Sequence, residues 1–162
     1  MGRAFVFGDD IDTDLLAPGH AMKLAPAAMA RFCLEAVDAN FASAVRPGDI
    51  VVAGRNFGMG SSREQAAISL KLLGVSAVFA VSFARIFFRN AINIGLPALV
   101  LPEAGQIGAG DEIAFDLGAG VIDDLTTGRR YPFQALPPHL LTLIADGGLV
   151  PNLMRRFGRT AP

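Results

Sequence analysis

The chain has 162 residues, of which 52% are hydrophobic, so it is long and apolar enough to bury one full core. Its formal net charge of -1 gives no electrostatic case for binding nucleic acid or an anionic membrane surface. A single cysteine, Cys33, excludes an internal disulfide. The sequence also contains no run of about 18 apolar residues that would predict a membrane-spanning helix. We therefore expect one soluble, cytoplasmic domain over residues 1–162 that binds a small molecule or another protein.

The first third of the chain predicts two strands, one helix and the loops between them. Residues 4–7 form a short β-like run, and a polar loop with the acidic residues Asp10, Asp12 and Asp14 follows. On residue type alone, these carboxylates either lie in a solvated loop held by Asx turns or line a site. The pattern then predicts a loop over 15–23, a helix that begins at a proline over 26–37, and a buried strand over 50–53.

The most informative stretch follows that strand: residues 54–65 read Gly-Arg-Asn-Phe-Gly-Met-Gly-Ser-Ser-Arg-Glu-Gln. A glycine-rich turn here leads through two hydroxyls and a guanidinium into a helix predicted over 63–73. Glycine lets a ligand approach the backbone closely, and the first N–H groups of a helix favour an anion. Arg63 would grip a carboxylate in two places, and Ser61 or Ser62 beside it would serve as a base. The stretch therefore predicts an anion-holding site.

Two other interpretations of this stretch are open on residue type. In the first, Ser61 or Ser62 is only the N-cap of the helix and Glu64 is only part of a capping arrangement. A nucleotide-binding loop is not favoured, because a Walker loop needs a lysine after its last glycine and a dinucleotide loop needs a third glycine where Arg63 stands.

The remaining chain divides into a part with alternating strands and helices and a later part that consists mainly of short strands. Alternation of strands and helices up to residue 101 predicts parallel pairing, whereas the short strands after Gly105 predict antiparallel pairing that closes the sheet against the N-terminal strand. A helix follows, and a basic, flexible tail is expected over 155–162. The predicted strands are 75–81, 96–101, 111–117, 121–125 and 130–133, and the predicted helices are 83–94 and 137–145.

Four motifs carry a resemblance to a known family. Residues 58–66, Gly-Met-Gly-Ser-Ser-Arg-Glu-Gln-Ala, resemble the signature of the swivelling domain of the aconitase superfamily, in particular that of the small subunits of 3-isopropylmalate dehydratases. Three further stretches match the family in the same order. They are Asp10–Asp14 (Asp-Ile-Asp-Thr-Asp), Ser82–Phe87 (Ser-Phe-Ala-Arg-Ile-Phe) and Asn90–Pro97 (Asn-Ala-Ile-Asn-Ile-Gly-Leu-Pro).

The resemblance implies an α/β fold of the swivelling β/β/α type, with a mixed sheet and flanking helices. It implies the small subunit of a hydro-lyase that dehydrates and rehydrates a 2-hydroxy dicarboxylate, converting 2-isopropylmalate to 3-isopropylmalate in leucine biosynthesis. By motif match, Ser61 takes the proton from the carbon next to a carboxylate, and Asp14 belongs to the same cavity. Ser62, Arg63 and Gly60 would hold the carboxylate.

The resemblance also implies a partner. A [4Fe-4S] cluster is expected in a large subunit, because an iron–sulfur cluster needs about three or four cysteine ligands and this chain has only Cys33. With His20 and His139 as its only histidines, the chain offers no metal site of the usual spacing. We expect no cofactor in this chain and no activity without the large subunit.

One departure from the family pattern concerns the substrate. After Pro18, where family members commonly carry a polar residue followed by an aromatic residue and leucine, this chain has His20-Ala21-Met22. The resemblance places His20 in the substrate-recognising loop. The alternatives are therefore the same chemistry on homoaconitate or on a methyl- or dimethylmalate-type acid, and a non-catalytic carboxylate-binding module.

Overall fold

The computed structural model describes residues 1–158 and shows a mixed sheet of seven strands. The strands are β1 (Gly2–Val6), β2 (Ile50–Ala53), β3 (Ala77–Ala80), β4 (Ala98–Val100), β5 (Glu112–Asp116), β6 (Val121–Asp124) and β7 (Arg129–Pro132). Their spatial order is β4-β3-β2-β1-β5-β6-β7. The first four strands are parallel, and β5 pairs antiparallel with β1, as the sequence predicts. The expected α/β fold is therefore confirmed.

Seven helices connect and flank these strands within the described residues. The longest two, α4 and α5, follow β2 and β3 and form the crossover connections of the parallel half. The helices are α1 (Thr13–Leu16), α2 (Pro26–Ala30), α3 (Phe41–Ala44), α4 (Glu64–Leu72), α5 (Arg85–Asn93), α6 (Pro138–Ala145) and α7 (Leu149–Arg156). Among residues 1–158, no helix combines the length and the apolar composition needed to cross a membrane.

Two cores form because side chains alternate across each strand. Val51 and Val78 lie in the core on the helix side, together with Leu70 of α4 and Phe87 of α5. Ile50, Val52 and Phe79 point to the other face, where β5, β6 and β7 cover them. Phe79 meets the rings of Phe115 and Phe133 edge-on, at centroid distances of 5.5 and 5.6 Å. The buried parallel strands consequently fix the loops at their carboxyl ends.

The helix predicted over 26–37 is wrong beyond its first turns. The α-helix ends at Ala30, and Leu34 takes a positive φ of 60° that an α-helix does not contain. The amide of Leu34 donates to the carbonyl of Leu15 at 2.8 Å instead, so a tertiary contact replaces the helical hydrogen bond. The loop predicted over 15–23 is also interrupted, because α1 extends to Leu16.

The C-terminal part contains a helix that the sequence analysis does not predict. Helix α7 runs through Arg156, and Nη1 of Arg155 lies 2.9 Å from Oδ1 of Asp146. The structure therefore places the first two residues of the expected flexible tail in a helix. Residues 159–162 lie outside the described residues, and the tail stays a prediction there.

Candidate functional site

The signature loop lies between β2 and α4 and is held by the loop that follows β1. The amide of Gly58 donates to the carbonyl of Ile11 at 2.7 Å, and the amide of Thr13 donates to the carbonyl of Met59 at 2.8 Å. Because β1 and β2 are parallel neighbours, their carboxyl ends lie at the same edge of the sheet, and the two loops meet there. Two of the four sequence motifs are thereby brought together.

Two glycines allow the loop to make this approach. Gly58 has φ = 82° and Gly60 has φ = 111°, which are conformations that other residues rarely adopt. A Cβ on Gly58 would lie 2.2 Å from Cγ of Phe87, and a Cβ on Gly60 would lie 2.9 Å from Oγ1 of Thr13. Glycine is therefore required at both positions, and Gly60 lies against the hydroxyl cluster described next.

Replacing Gly58 by alanine is expected to lower the free energy of unfolding by about 3 kcal/mol, because the new Cβ clashes with the buried Phe87 and the backbone is strained. Urea unfolding followed by circular dichroism measures this loss. Gly8→Ala is the matched control, since a Cβ there meets nothing within 4 Å, and it should change stability by less than about 1 kcal/mol. Equal stability of the two variants would contradict the steric argument.

Ser61 is exposed and lies against the buried Thr13. The two hydroxyl oxygens are 3.1 Å apart, and the amide of Ser61 donates to Oγ1 of Thr13, also at 3.1 Å. The buried Thr13 thus contacts both the side chain and the backbone amide of Ser61, while Ser61 as a whole remains exposed. The proximity of Thr13 and Ser61 is a feature that the sequence analysis missed, although it names both motifs.

The structure brings Arg63 into contact with Asp14, which the resemblance places in the same cavity, and their roles in a site stay predictions. Nη1 of Arg63 donates to Oδ1 of Asp14 and, at 3.1 Å, to the carbonyl of Ala17. Both contacts use Nη1, so within the described part of the chain Nη2 and Nε have no hydrogen-bond acceptor. The side chain of Arg63 is 29% exposed and that of Asp14 is 68% exposed. The guanidinium is therefore oriented by its neighbours and still has donors for a carboxylate.

Helix α4 begins one residue later than predicted, and Arg63 occupies its N-cap position. Neither Ser61 nor Ser62 caps the helix, and no side chain within residues 1–158 does so. The capping interpretation of the two serines is therefore wrong. Ser62 is exposed, and its carbonyl accepts a 3.3 Å hydrogen bond from Nδ2 of Asn90 on α5, a contact that the sequence analysis also missed.

His20 contacts residues other than those of the Ser61–Arg63–Asp14 cluster. Its Nε2 is 2.7 Å from Oε1 of Glu35, and its ring meets Phe32 edge-on at a centroid distance of 5.1 Å. Among the hydrogen bonds of the described residues, none links His20 to Ser61, Ser62 or Arg63. His20 therefore stays a predicted substrate-loop residue that the structure does not join to the cluster.

The three acidic residues of the N-terminal motif have three different contacts. Asp10 accepts from Nδ2 of Asn56 at 2.9 Å, Asp12 caps α1 by accepting from the amide of Leu15 at 2.8 Å, and Asp14 pairs with Arg63. In residues 1–158, no group of three His, Cys, Asp or Glu side chains is arranged to hold a metal ion. A local backbone hydrogen bond therefore holds Asp12, and the role of Asp14 in a site stays a prediction.

The cluster is open to solvent. Ser61 and Ser62 are exposed, and the first amides of α4, which no side chain within residues 1–158 caps, lie beside Arg63 at the N-cap. A cavity of about 370 Å³ opens between the carboxyl ends of β1 and β2 and the loop around Gly105, but none of the cluster residues lines it. The arrangement can hold an anion at a hydroxyl, a guanidinium and a helix N-terminus, and a second body is needed to enclose that anion.

A mixed sheet with an exposed Gly-Ser-Ser-Arg loop defines a domain of the aconitase type, and residues 20–104 match the family model of the aconitase C-terminal domain. The chain belongs to the family of 3-isopropylmalate dehydratase small subunits within the aconitase superfamily. It is 51% identical to the 3-isopropylmalate dehydratase small subunit of Moorella thermoacetica over 158 residues, which is 96% of this chain and 95% of that protein.

Two further relatives bear on substrate and fold. The 2,3-dimethylmalate dehydratase small subunit of Eubacterium barkeri is 54% identical over 151 residues, covering 92% of this chain and 93% of that protein. A crystal structure of a 3-isopropylmalate dehydratase from Methanocaldococcus jannaschii superposes with a TM-score of 0.91 at 42% identity, covering 96% of this chain and 93% of that one. The fold and family expected from the four motifs are confirmed.

Proposed function

We propose that this chain is the small subunit of a 3-isopropylmalate dehydratase, which interconverts 2-isopropylmalate and 3-isopropylmalate in leucine biosynthesis. The observation that carries the proposal is the 51% identity over 96% of the chain to a small subunit of that name. The cluster of Ser61, Arg63 and Asp14 supports it, because a dicarboxylate substrate needs a base and an anion grip. The cytoplasmic location expected from the sequence stays a prediction.

The residues of this chain would act on the carbon that loses the proton. We assign Oγ of Ser61, deprotonated after its own proton has passed to solvent, as the base that takes this proton from the carbon next to a carboxylate. Nη2 and Nε of Arg63 and the first amides of α4 would bind that carboxylate, and the hydroxyl of Ser62 would add a donor. Asp14 would hold Arg63 in place through Nη1. After rotation of the intermediate, Ser61 would return the proton to the neighbouring carbon during rehydration.

Removal of the hydroxyl would take place on the large subunit. The [4Fe-4S] cluster of the family does not fit this chain, because Cys33 is fully buried and no metal-holding group of side chains occurs in residues 1–158. Burial also raises the pKa of the Cys33 thiol, so it does not provide a thiolate. We therefore place the iron–sulfur cluster, and the Lewis-acid chemistry at the leaving hydroxyl, on the large subunit.

The first test is turnover of 2-isopropylmalate, followed through the ultraviolet absorbance of the unsaturated intermediate. Anaerobic mixing with a cluster-loaded large subunit from the same genome is expected to give activity, whereas each chain alone should be inactive. The reason is that the base and the Lewis acid lie on different chains. Activity of the isolated small subunit would contradict the proposed division of labour.

The second candidate is the same reaction on 2,3-dimethylmalate. It is favoured by the 54% identity to the Eubacterium barkeri protein and by the loop His20-Ala21-Met22, which lacks the aromatic residue common in isopropylmalate-type subunits. Parallel assays with 2-isopropylmalate, 2,3-dimethylmalate and homoaconitate separate the candidates through their kcat/KM values. Association of the two chains without turnover of any acid, together with carboxylate binding by the small subunit alone, would favour the non-catalytic binding module.

A further inference from the structure

Thr13 is a buried residue whose hydroxyl points at the exposed Ser61. Its residue surface is only 3% exposed, and its Oγ1 lies 3.1 Å from Oγ of Ser61 and 3.1 Å from the amide nitrogen of Ser61. These two contacts join residues that are 48 positions apart in the chain. A hydroxyl in such a place has a defined set of partners, because solvent has little access to it.

The backbone of Thr13 is fixed from three sides. Its amide donates to the carbonyl of Met59 at 2.8 Å, and its carbonyl accepts from the amide of Ala17 at 2.9 Å. The preceding residue, Asp12, caps α1 through the amide of Leu15. The position of Oγ1 is therefore set by the fold of two loops and not by Ser61 alone.

The donors and acceptors available to the Thr13 hydroxyl show which of the two hydroxyls donates in the contact between Thr13 and Ser61. A threonine hydroxyl has one proton and two lone pairs, and one lone pair accepts the amide proton of Ser61. If Ser61 donated to Thr13, the proton of Thr13 would be left without an acceptor at a buried position, which is unfavourable. Within residues 1–158, Oγ of Ser61 is the acceptor available to that proton.

Building on the proposed function, we propose that Thr13 is a positioning residue for the reaction: its hydroxyl donates to Oγ of Ser61, stabilises the deprotonated form of that oxygen and keeps its free lone pairs directed at the substrate. The proton of Thr13 stays on Thr13 throughout. Only the proton removed from the substrate carbon moves onto Ser61. The role requires a hydroxyl at position 13, and the methyl group of threonine is not part of it.

The test compares Thr13→Val, which keeps the shape and removes the hydroxyl, with Thr13→Ser, which keeps the hydroxyl. In the assembled enzyme, Thr13→Val is expected to lower kcat by about 10²-fold and to leave KM within about threefold. Thr13→Ser should stay within about fivefold of the unmodified enzyme in kcat, since the donor is retained. Thr142→Val, which removes a hydroxyl that donates to the carbonyl of Pro138 on α6, is the matched control and should leave both constants unchanged.

A second readout does not depend on the large subunit. Hydrogen exchange of the Ser61 amide in the isolated chain, measured by NMR, should become about tenfold faster in Thr13→Val and stay unchanged in Thr13→Ser. Unaltered exchange in Thr13→Val, or equal losses of kcat in the valine and serine variants, overturns the proposal. If the unmodified complex turns over none of the acids, the proposed function has failed, and the exchange experiment still decides whether Thr13 holds Ser61.

Discussion

Replacing Ser61 by alanine is expected to lower kcat of the assembled enzyme by about 10³- to 10⁴-fold, with little change in KM. The hydroxyl of Ser61 is the group assigned to take the substrate proton, and the carboxylate grip of Arg63 and the α4 amides remains in the variant. Loss of the base therefore removes an interaction of the transition state and leaves ground-state binding in place. Steady-state kinetics on the substrate identified for the unmodified complex give both constants.

The control for this variant is another exposed serine. Ser43 donates to the carbonyl of Asn40 at 2.9 Å at the start of α3, away from the four motifs, and Ser43→Ala should leave kcat unchanged. Thermal unfolding of both variants tests whether the fold is kept, which is expected because neither side chain is buried. If Ser61→Ala retains kcat within tenfold, the proton is taken by another group and the assignment of Ser61 is wrong.

The parallel half of the fold is predictable because its signals are local. Residues 50–53 are a continuous apolar run that ends at a glycine, and they form a strand buried on both faces. The glycine-rich loop and the helix after it follow from residue type, although the helix begins at Glu64 and not at Arg63. Such signals predict a glycine-rich loop at the carboxyl edge of the sheet, and its binding of an anion stays a prediction.

The contacts within the site are not local and could not be predicted from residue type. The distance between Thr13 and Ser61 depends on the register of β1 against β2, in which Ala4 pairs with Ile50, and a single sequence contains no signal for that register. The helix predicted beyond Ala30 fails for the same reason, since Leu34 adopts a positive φ to reach the carbonyl of Leu15. Tertiary hydrogen bonds here outweigh the apolar spacing that favours a helix.

Replacing Arg63 by glutamine is expected to lower kcat/KM of the assembled enzyme by about 10³-fold, which corresponds to about 4 kcal/mol. Among residues 1–158 the guanidinium is the only cation in the cluster, and under the proposed function its free Nη2 and Nε bind the substrate carboxylate. Arg63→Lys should be intermediate, because lysine keeps the charge and lacks the planar fork that grips both carboxylate oxygens. Initial-rate kinetics at substrate concentrations far below KM measure kcat/KM directly.

Arg130 provides the matched control because it also pairs with an aspartate. Its Nε lies 2.5 Å from Oδ1 of Asp123 on the antiparallel strands, outside the site, so Arg130→Gln should change kcat/KM by less than about twofold. Both variants should keep unfolding midpoints close to that of the unmodified chain, because Asp14 and Arg130 are largely exposed and water screens each pair. If the two variants have equal effects on kcat/KM, the loss in Arg63→Gln comes from a broken surface ion pair and not from lost binding of the substrate carboxylate.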